Sequence, residues 1–253
     1  MKPSLLDQSL CMLKGISPAT ECALQRRGIN QKKQLVTLAD ALFSPKQAIQ
    51  VKNSYERLEK VQQIGLLDCM VNAFPCGHRI RVLHDYFQTV AFLDIETDGM
   101  SCRAAITCIS VLLNKQMSTF VRGINLDQFL EIWVKCGILV TFNGKRFDIP
   151  KILNEFNLST IPAHIDLMDE AAHYGFRGGL KKITAKMGFI RREKNCLSGS
   201  DAITNWNEYM ETGNEDARSR LISYNQDDVY ALEWVYRKLL KLSLQNTLIT
   251  TTL

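Results

Sequence analysis

Residues 90–96 read Val-Ala-Phe-Leu-Asp-Ile-Glu, and this stretch decides the fold. Apolar side chains fill it almost without a break, as in a central strand that is buried on both faces. Because side chains alternate across a strand, Asp94 and Glu96 are predicted to point to one face, with Leu93 and Ile95 on the other. Two buried like charges are costly unless a cation neutralises them, and hard oxygen ligands favour Mg²⁺ or Mn²⁺. The stretch therefore predicts a strand that holds a divalent metal.

The residues that follow predict a mixed α/β sheet with helices on its faces. Further strands are expected at 104–113, 119–122, 138–142 and 164–168. One helix, at 126–136, is expected between the third and fourth strands, and another, at 149–156, between the fourth and fifth. Further helices are expected at 180–187, 205–211 and 215–242. The fold class is therefore α/β, with five strands.

The first third of the chain predicts short helices and differs from the rest in charge. Residues 1–88 hold 12 Lys and Arg against 7 Asp and Glu, whereas residues 89–253 hold 19 of each. This asymmetry predicts two modules, a helical N-terminal region over 1–88 and an α/β domain over 89–253. The basic excess fits a polyanionic partner such as nucleic acid, and it also fits a solvated helical surface.

The composition is that of an ordinary globular protein, with 46% apolar and 23% charged residues among 253. No run approaches the ~18–20 apolar residues of a membrane span, and polar residues 7–9 interrupt the N-terminus where a secretory signal would be apolar. We therefore expect a cytoplasmic protein whose eight cysteines are reduced thiols. Cys69, Cys76, His78 and His84 offer zinc-type ligands without the usual Cys-x2–4-Cys knuckle, so a zinc-organised interaction module stays an alternative.

Two further clusters supply acids far along the chain. Residues 141–148, Thr-Phe-Asn-Gly-Lys-Arg-Phe-Asp, lie where the fourth strand gives way to a helix. Gly144 permits a tight turn there, and Asp148 falls in the first helical turn. On the C-terminal helix, Tyr224 and Asp228 are four residues apart and share one face. Asp228 can then complete a ligand set, while Tyr224 reaches a water between metal and phosphate.

Together these residues resemble the three motifs of the DEDDy 3′→5′ exonucleases, which have a ribonuclease H-like fold. The motifs are Asp94-x-Glu96, Asn143-Gly-x-x-Phe147-Asp148 and Tyr224-x3-Asp228. The middle one is similar to that of the proofreading domains of family B DNA polymerases. The surroundings are more similar to the YprB-like bacterial branch, in His164-Ile-Asp-Leu, Gly179-Leu-Lys-Lys-Ile and Tyr224-Asn-x-x-Asp228-Val. The resemblance covers residues 89 to about 240.

The resemblance implies that two divalent cations, Mg²⁺ or Mn²⁺, support hydrolysis of phosphodiester bonds at single-stranded 3′ ends, with release of nucleoside 5′-monophosphates. Asp94, Glu96 and Asp228 would hold one ion. Asp94 would bridge to a second ion, which Asp148 would support, and Tyr224 would orient the attacking water. The alternative from another class is a non-catalytic nucleic-acid-binding or adaptor protein on the same fold.

The substrate is expected to be single-stranded nucleic acid, with DNA favoured over RNA. Thr97 and Asn143 are carried over from the resemblance as contacts to the terminal nucleotide. A basic groove around the acids is predicted from Lys145, Arg146, Arg177, Lys181, Lys182, Arg191 and Arg192, with charged surface helices as the alternative.

Residues 13–24, Leu-Lys-Gly-Ile-Ser-Pro-Ala-Thr-Glu-Cys-Ala-Leu, resemble the hairpin of a helix-hairpin-helix module. In such hairpins, backbone N–H groups at a helix N-terminus approach a DNA phosphate. Ser17 stands where a second Gly usually allows close approach. Two interpretations therefore stay open, a DNA-binding hairpin and a purely packed helical hairpin.

Overall fold

A computed structural model describes residues 4–101, 103–191, 199–245 and 247–249, and Arg192 lies outside these ranges. Five strands form one sheet: β1 (Val90–Thr97), β2 (Ile106–Leu113), β3 (Gln116–Val121), β4 (Ile138–Thr141) and β5 (Ala163–Asp166). Their order is β3-β2-β1-β4-β5. β1 and β2 are antiparallel, as are β2 and β3, whereas β1, β4 and β5 run parallel. The predicted mixed five-stranded sheet is confirmed.

The helices of the described residues are α1 (Leu5–Gln8), α2 (Pro18–Arg26), α3 (Lys32–Leu42), α4 (Pro45–Gln63), α5 (Leu67–Ala73), α6 (Val82–Asp85), α7 (Phe129–Trp133), α8 (Asp148–Glu155), α9 (Leu167–His173), α10 (Leu180–Lys186), α11 (Gly199–Thr212) and α12 (Glu215–Leu244). Single 3₁₀ turns lie at Leu10–Met12, Arg79–Arg81, Phe87–Thr89 and Leu126–Gln128. None of the helices in the described ranges combines the length and apolarity needed to cross a bilayer.

Two elements differ in kind from the prediction, and two others in their bounds, since β3 begins at Gln116 instead of residue 119 and α11 at Gly199 instead of residue 205. The fifth strand ends at Asp166 instead of residue 168, because the Asp166 side chain accepts a hydrogen bond from the Met168 N–H and caps α9, a helix that the apolar pattern did not predict. The helix predicted over 126–136 is a 3₁₀ turn followed by the five-residue α7. In both places a local capping or turn preference outweighs hydrophobic periodicity.

The alternation along β1 decides which face of the sheet carries the acids. Val90 and Phe92 belong to a core that includes residues of α12, such as Val229. Leu93 and Ile95 belong to the opposite core, which includes residues of α7 and α8. Asp94 and Glu96 alternate with Leu93 and Ile95, so they face α12.

The predicted N-terminal helical region is present, and it packs beneath the same face of the sheet. Its apolar side chains, such as Leu35 and Val51, share one core with β4, β5 and α12. A buried ion pair joins α2 to the turn before α6, with 2.7 Å between Glu21 Oε2 and Arg81 Nη1 and both side chains 0% exposed. Arg81 also donates to the hydroxyl and carbonyl oxygens of Ser243 on α12. The division into two modules at residue 88 stays a prediction.

The hairpin before α2 packs against α4. The Lys14 N–H donates to Ser54 Oγ, and the Gln47 side chain donates to the Gly15 carbonyl. Gly15 has a φ of 90°, and the side where a Cβ would stand faces Gln50. Ser17 is the N-cap residue of α2, whereas a glycine at this position would leave the backbone open to close approach. These contacts favour the packed hairpin, and contact with nucleic acid stays a prediction.

Candidate active site

Carboxylates from two elements lie close together where β1 extends beyond its pairing with the parallel strand β4. β1 pairs with β4 only from Val90 to Phe92, so Asp94 and Glu96 stand beyond the end of that pairing. The long helix α12 packs on this face and brings Asp228 to them. Ligand oxygens of Asp94, Glu96 and Asp228 all lie within 4.8 Å of one another. We call these three residues the acid cluster.

Asp148 faces the acid cluster from the first turn of α8 and is 4% exposed. Its carboxylate accepts the backbone N–H of Ile95, which lies on β1 past the last residue paired with β4. Its oxygens are not within the 4.8 Å group, yet its charge acts on both Asp94 and Glu96. The structure therefore brings three of the four predicted acids together, and the fourth, Asp148, is near enough for its charge to act on two of them.

The turn that delivers Asp148 depends on a residue to which the sequence analysis assigned no role. The Asp166 carboxylate accepts the N–H groups of Asn143, at 2.7 Å, and Lys145, at 3.3 Å. The left-handed residue of the turn is Asn143, with a φ of 62°, not Gly144. Gly144 is required for another reason, since a Cβ there would overlap the Thr141 side chain. An acid directly after an apolar strand is the signal that could have identified Asp166 as a cap.

Two neighbouring residues of α12, Tyr224 and Asn225, form hydrogen bonds to the acid cluster. The Tyr224 hydroxyl is hydrogen-bonded to Asp228, as the predicted four-residue spacing allows. Asn225 is fully buried, and its amide donates to Asp94 Oδ2 at 2.7 Å. The Asn225 carbonyl oxygen in turn accepts the Cys108 thiol at 3.5 Å. Sequence reasoning missed the contact from Asn225 to Asp94, because its partner lies 131 residues away.

Burial and mutual repulsion disfavour ionisation of these acids. Burial raises the pKa of Asp94 and Glu96 well above the ordinary range, and the charges of Asp228 and Asp148 raise it further. Burial also raises the pKa of Asp148 to about 7 and that of Asp228, despite the Arg191 guanidinium beside Asp228. The site therefore carries more carboxylates than its own cations neutralise.

The predicted basic groove residues separate into distinct environments. Arg191 donates to Asp228 Oδ1 at 2.5 Å, and the Lys181 ammonium lies 4.6 Å from the centre of the Tyr224 ring. The Lys145 ammonium instead pairs with Asp169 at 2.6 Å. The remaining described members of the set are exposed: Arg146, Arg177 and Lys182. The Thr97 hydroxyl, a predicted nucleotide contact, donates to the Gly99 carbonyl within the loop after β1.

A family model of the RNase H superfamily matches residues 91–240, which is more than half of the chain. The chain belongs to the RNase H superfamily. The matched range includes Asp94, Glu96, Asp148, Tyr224 and Asp228.

A solved structure is similar to this RNase H superfamily chain in fold. The fold is similar to part of the family B DNA polymerase from the hyperthermophilic archaeon Pyrobaculum calidifontis, with a TM-score of 0.47 and 18% sequence identity. That similarity covers 60% of this chain and 24% of the polymerase, so the chain spans about a quarter of the polymerase it resembles. No curated protein matches the chain at a significant level.

The zinc-type ligands Cys69, Cys76, His78 and His84 do not come together in this RNase H superfamily chain. His78 is hydrogen-bonded to Ser243, and His84 to Asp85. In the described ranges, the acid cluster is the group of three or more candidate ligands that has metal-binding spacing. The structure therefore gives no support to a zinc-organised module.

We expect the metal-free protein to lose stability as the pH rises from about 6.5 to 8. In an unfolded chain these carboxyls ionise near pH 4, whereas burial raises the pKa of folded Asp148 to about 7 and that of Asp94 and Glu96 well above the ordinary range. The folded protein therefore binds more protons in this window, and its free energy of unfolding falls with rising pH. His78 and His164, whose pKa values burial lowers to about 3 and about 4, oppose this fall only in the lower part of the window, because unfolded His has lost most of its protons by about pH 7.5.

Thermal denaturation in EDTA across this pH range measures the effect. Excess Mn²⁺ should reduce the slope, because a bound cation favours the ionised carboxylates of the site. The part of the slope that remains is expected from Glu170, whose pKa burial also raises to about 7 and which lies outside the acid cluster. A melting temperature that rises with pH in EDTA would contradict the burial of these groups.

Proposed function

We propose that this protein is a DEDDy-type, metal-dependent 3′→5′ exonuclease, closest to the YprB-like branch, that releases nucleoside 5′-monophosphates from single-stranded ends. The observation that carries this proposal is the convergence of acids from three separate segments at one point. Asp94 and Glu96 come from β1, Asp148 from α8 and Asp228 from α12. Two buried acids, Asp148 and Asp228, beside the half-buried Asp94 and Glu96 disfavour folding, so this arrangement must serve another purpose.

The donor set fits divalent cations. Mg²⁺ and Mn²⁺ prefer carboxylate oxygens, and oxygens bound to one such ion lie about 3–4 Å apart. The ligand oxygens of the acid cluster are within 4.8 Å of one another. We assign the acid cluster as the residues that hold the ion, with Asp148 in support. When bound, divalent cations acidify the attacking water and stabilise the charge that develops on the leaving 3′ oxygen.

The chain's own groups supply orientation. The Tyr224 hydroxyl, hydrogen-bonded to Asp228, stands at the acid cluster and would hold the attacking water in line with the phosphorus. Asn225 keeps Asp94 in one rotamer through its amide hydrogen bond. Asp166 orders the turn from which Asp148 projects. Water attack then breaks the bond to the 3′ oxygen and releases a 5′-monophosphate.

Tyr224→Phe should lower kcat about a hundredfold and leave Mn²⁺ affinity nearly unchanged. The substitution removes a hydrogen bond to the attacking water, whereas the carboxylate ligands remain. Steady-state kinetics at saturating oligonucleotide measure the first quantity, and calorimetric titration of Mn²⁺ measures the second. A large loss of Mn²⁺ affinity in this variant would contradict the role assigned to Tyr224.

A 5′-labelled single-stranded oligonucleotide incubated with the protein and Mn²⁺ tests the proposal. We expect a ladder of products shortened from the 3′ end, abolished by Asp148→Asn and by Asp228→Asn. The matched control is Asp216→Asn, which removes an exposed carboxylate from the same helix as Asp228 and should leave the ladder intact.

Other outcomes would overturn the proposal. An uncleaved oligonucleotide that stays bound to the protein would favour the non-catalytic adaptor function. Internal cleavage products without a 3′ ladder would show a nuclease of a different type. Matched DNA and RNA oligonucleotides in the same assay test the proposed preference for single-stranded DNA.

A further inference from the structure

One ion pair at the acid cluster is not explained by metal binding alone. The Arg191 guanidinium donates to Asp228 Oδ1 at 2.5 Å, and the two side chains are only 17% and 10% exposed. Arg191 therefore binds a carboxylate that, under the proposed function, is a ligand of a divalent cation. An arginine stays protonated at any working pH, so it cannot leave the carboxylate by losing its charge.

The position of Arg191 is determined by the fold. The loop from Met187 to Arg191 follows α10 and is tied to α12 by Trp234, whose indole N–H donates to the Met187 carbonyl at 3.1 Å. The Phe189 ring packs against Trp234, with 6.0 Å between their centres. Trp234 lies six residues after Asp228 on α12. The same helix therefore carries both the residue that holds the loop and the carboxylate that Arg191 binds.

The charges around Asp228 indicate what Arg191 does. Asp94, Glu96, Asp148 and Asp228 act on one another, and the cations that act on Asp228 are Arg191 and Lys181. In metal-free protein, Arg191 neutralises part of this excess of acids. Divalent cations bound to the same acids would supply that charge and weaken the attraction between Arg191 and Asp228. A guanidinium binds carboxylate and phosphate in the same planar way, so a phosphodiester is its natural second partner.

We propose that Arg191 is an exchangeable counter-ion that occupies Asp228 in the metal-free protein and binds a phosphodiester of the nucleic-acid 3′ end once divalent cations are in place. This inference rests on the proposed function, and it assigns Arg191 two partners in two states of one site. It predicts effects of opposite sign on the two ligands when the charge of Arg191 is removed.

Titration of Mn²⁺ into metal-free protein, without nucleic acid, tests the first state. We expect Arg191→Gln to bind Mn²⁺ about three- to tenfold more tightly than the wild type, because a competing cation is gone. Arg191→Lys retains the charge and should stay close to the wild type. Arg218→Gln, which breaks an ion pair with Glu215 elsewhere on α12, is the control for net charge and should change little. Mn²⁺ affinity that is unchanged or weaker in Arg191→Gln overturns the counter-ion role.

Binding of a 5′-labelled single-stranded oligonucleotide, measured by fluorescence anisotropy with Ca²⁺ in place of Mn²⁺, tests the second state. We expect Arg191→Gln to weaken binding about tenfold and to raise KM under saturating Mn²⁺ more than it lowers kcat. Unchanged oligonucleotide affinity overturns the phosphate role. The Mn²⁺ titration requires no hydrolysis. Tighter Mn²⁺ binding in a protein that cleaves nothing would refute the proposed function alone, and a wild-type-like Arg191→Gln that cleaves normally would refute this inference alone.

Discussion

Replacing Asp94 with Asn is expected to abolish hydrolysis and, in the same variant, to make the metal-free protein more stable at pH 8. The loss of activity should be at least about a thousandfold, since several kcal/mol of charge stabilisation depends on the ligand set. The gain in stability has an electrostatic cause. Asp94 is half-buried and lies near the charges of Asp228, Asp148 and Glu96, so its ionised form is disfavoured in the folded state.

The amide at position 94 keeps the local hydrogen bonding. The Asn225 amide donates to Asp94 Oδ2 at 2.7 Å, and a side-chain carbonyl oxygen can accept the same bond. The substitution therefore removes an ionisable group and still leaves the Asn225 amide with an acceptor. We expect the melting temperature in EDTA at pH 8 to rise by at least about 2 °C, the shift that about 1 kcal/mol produces in a chain of this size.

The comparison that decides this prediction is thermal denaturation with and without Mn²⁺. Wild-type protein should gain stability on Mn²⁺ addition, whereas Asp94→Asn should gain much less. Asp216→Asn again serves as the exposed control and should follow the wild type. If Asp94→Asn were less stable than the wild type in EDTA, the four acids would not repel one another as the structure indicates.

Glu21→Gln is expected to destabilise the protein by about 3–5 kcal/mol, the cost of leaving a buried charge without its partner. Glu21 and Arg81 are both 0% exposed, with 2.7 Å between Oε2 and Nη1. Glu21 also accepts the Cys11 N–H, and Arg81 extends the network to Ser243 on α12. The pair thus connects the N-terminal helices to the helix that carries Asp228.

A double-mutant cycle in urea separates the pair from its parts. Arg81→Met alone should cost about as much as Glu21→Gln, whereas the double variant should cost clearly less than the sum, because no unpaired charge then remains. The control is Asp40→Asn, which breaks the exposed pair with Lys52 and should cost under about 1 kcal/mol. A Glu21→Gln cost as small as that of Asp40→Asn would contradict the structure's account of this network.

Local patterns predicted most of the sheet. The apolar run of β1 and the order of strands and helices after it follow from hydrophobic periodicity. The i, i+2 spacing of Asp94 and Glu96 and the i, i+4 spacing of Tyr224 and Asp228 place each pair on one face. The unpredicted helix α9 depends on the Asp166 cap, which competes with an apolar run that continues to Met168.

The sequence by itself determined which residue types the site contains. It also determined which neighbouring site residues share a local face, because that depends on spacings of two to four residues. Tertiary structure alone decided that Asn225 binds Asp94, that Asp166 orders the turn before Asp148 and that Arg191 reaches Asp228. These partners lie 23 to 131 residues apart, and their meeting depends on how α12 and the loops pack against the sheet. The charge balance of the site, which controls metal binding and stability, therefore depends on packing that no local pattern encodes.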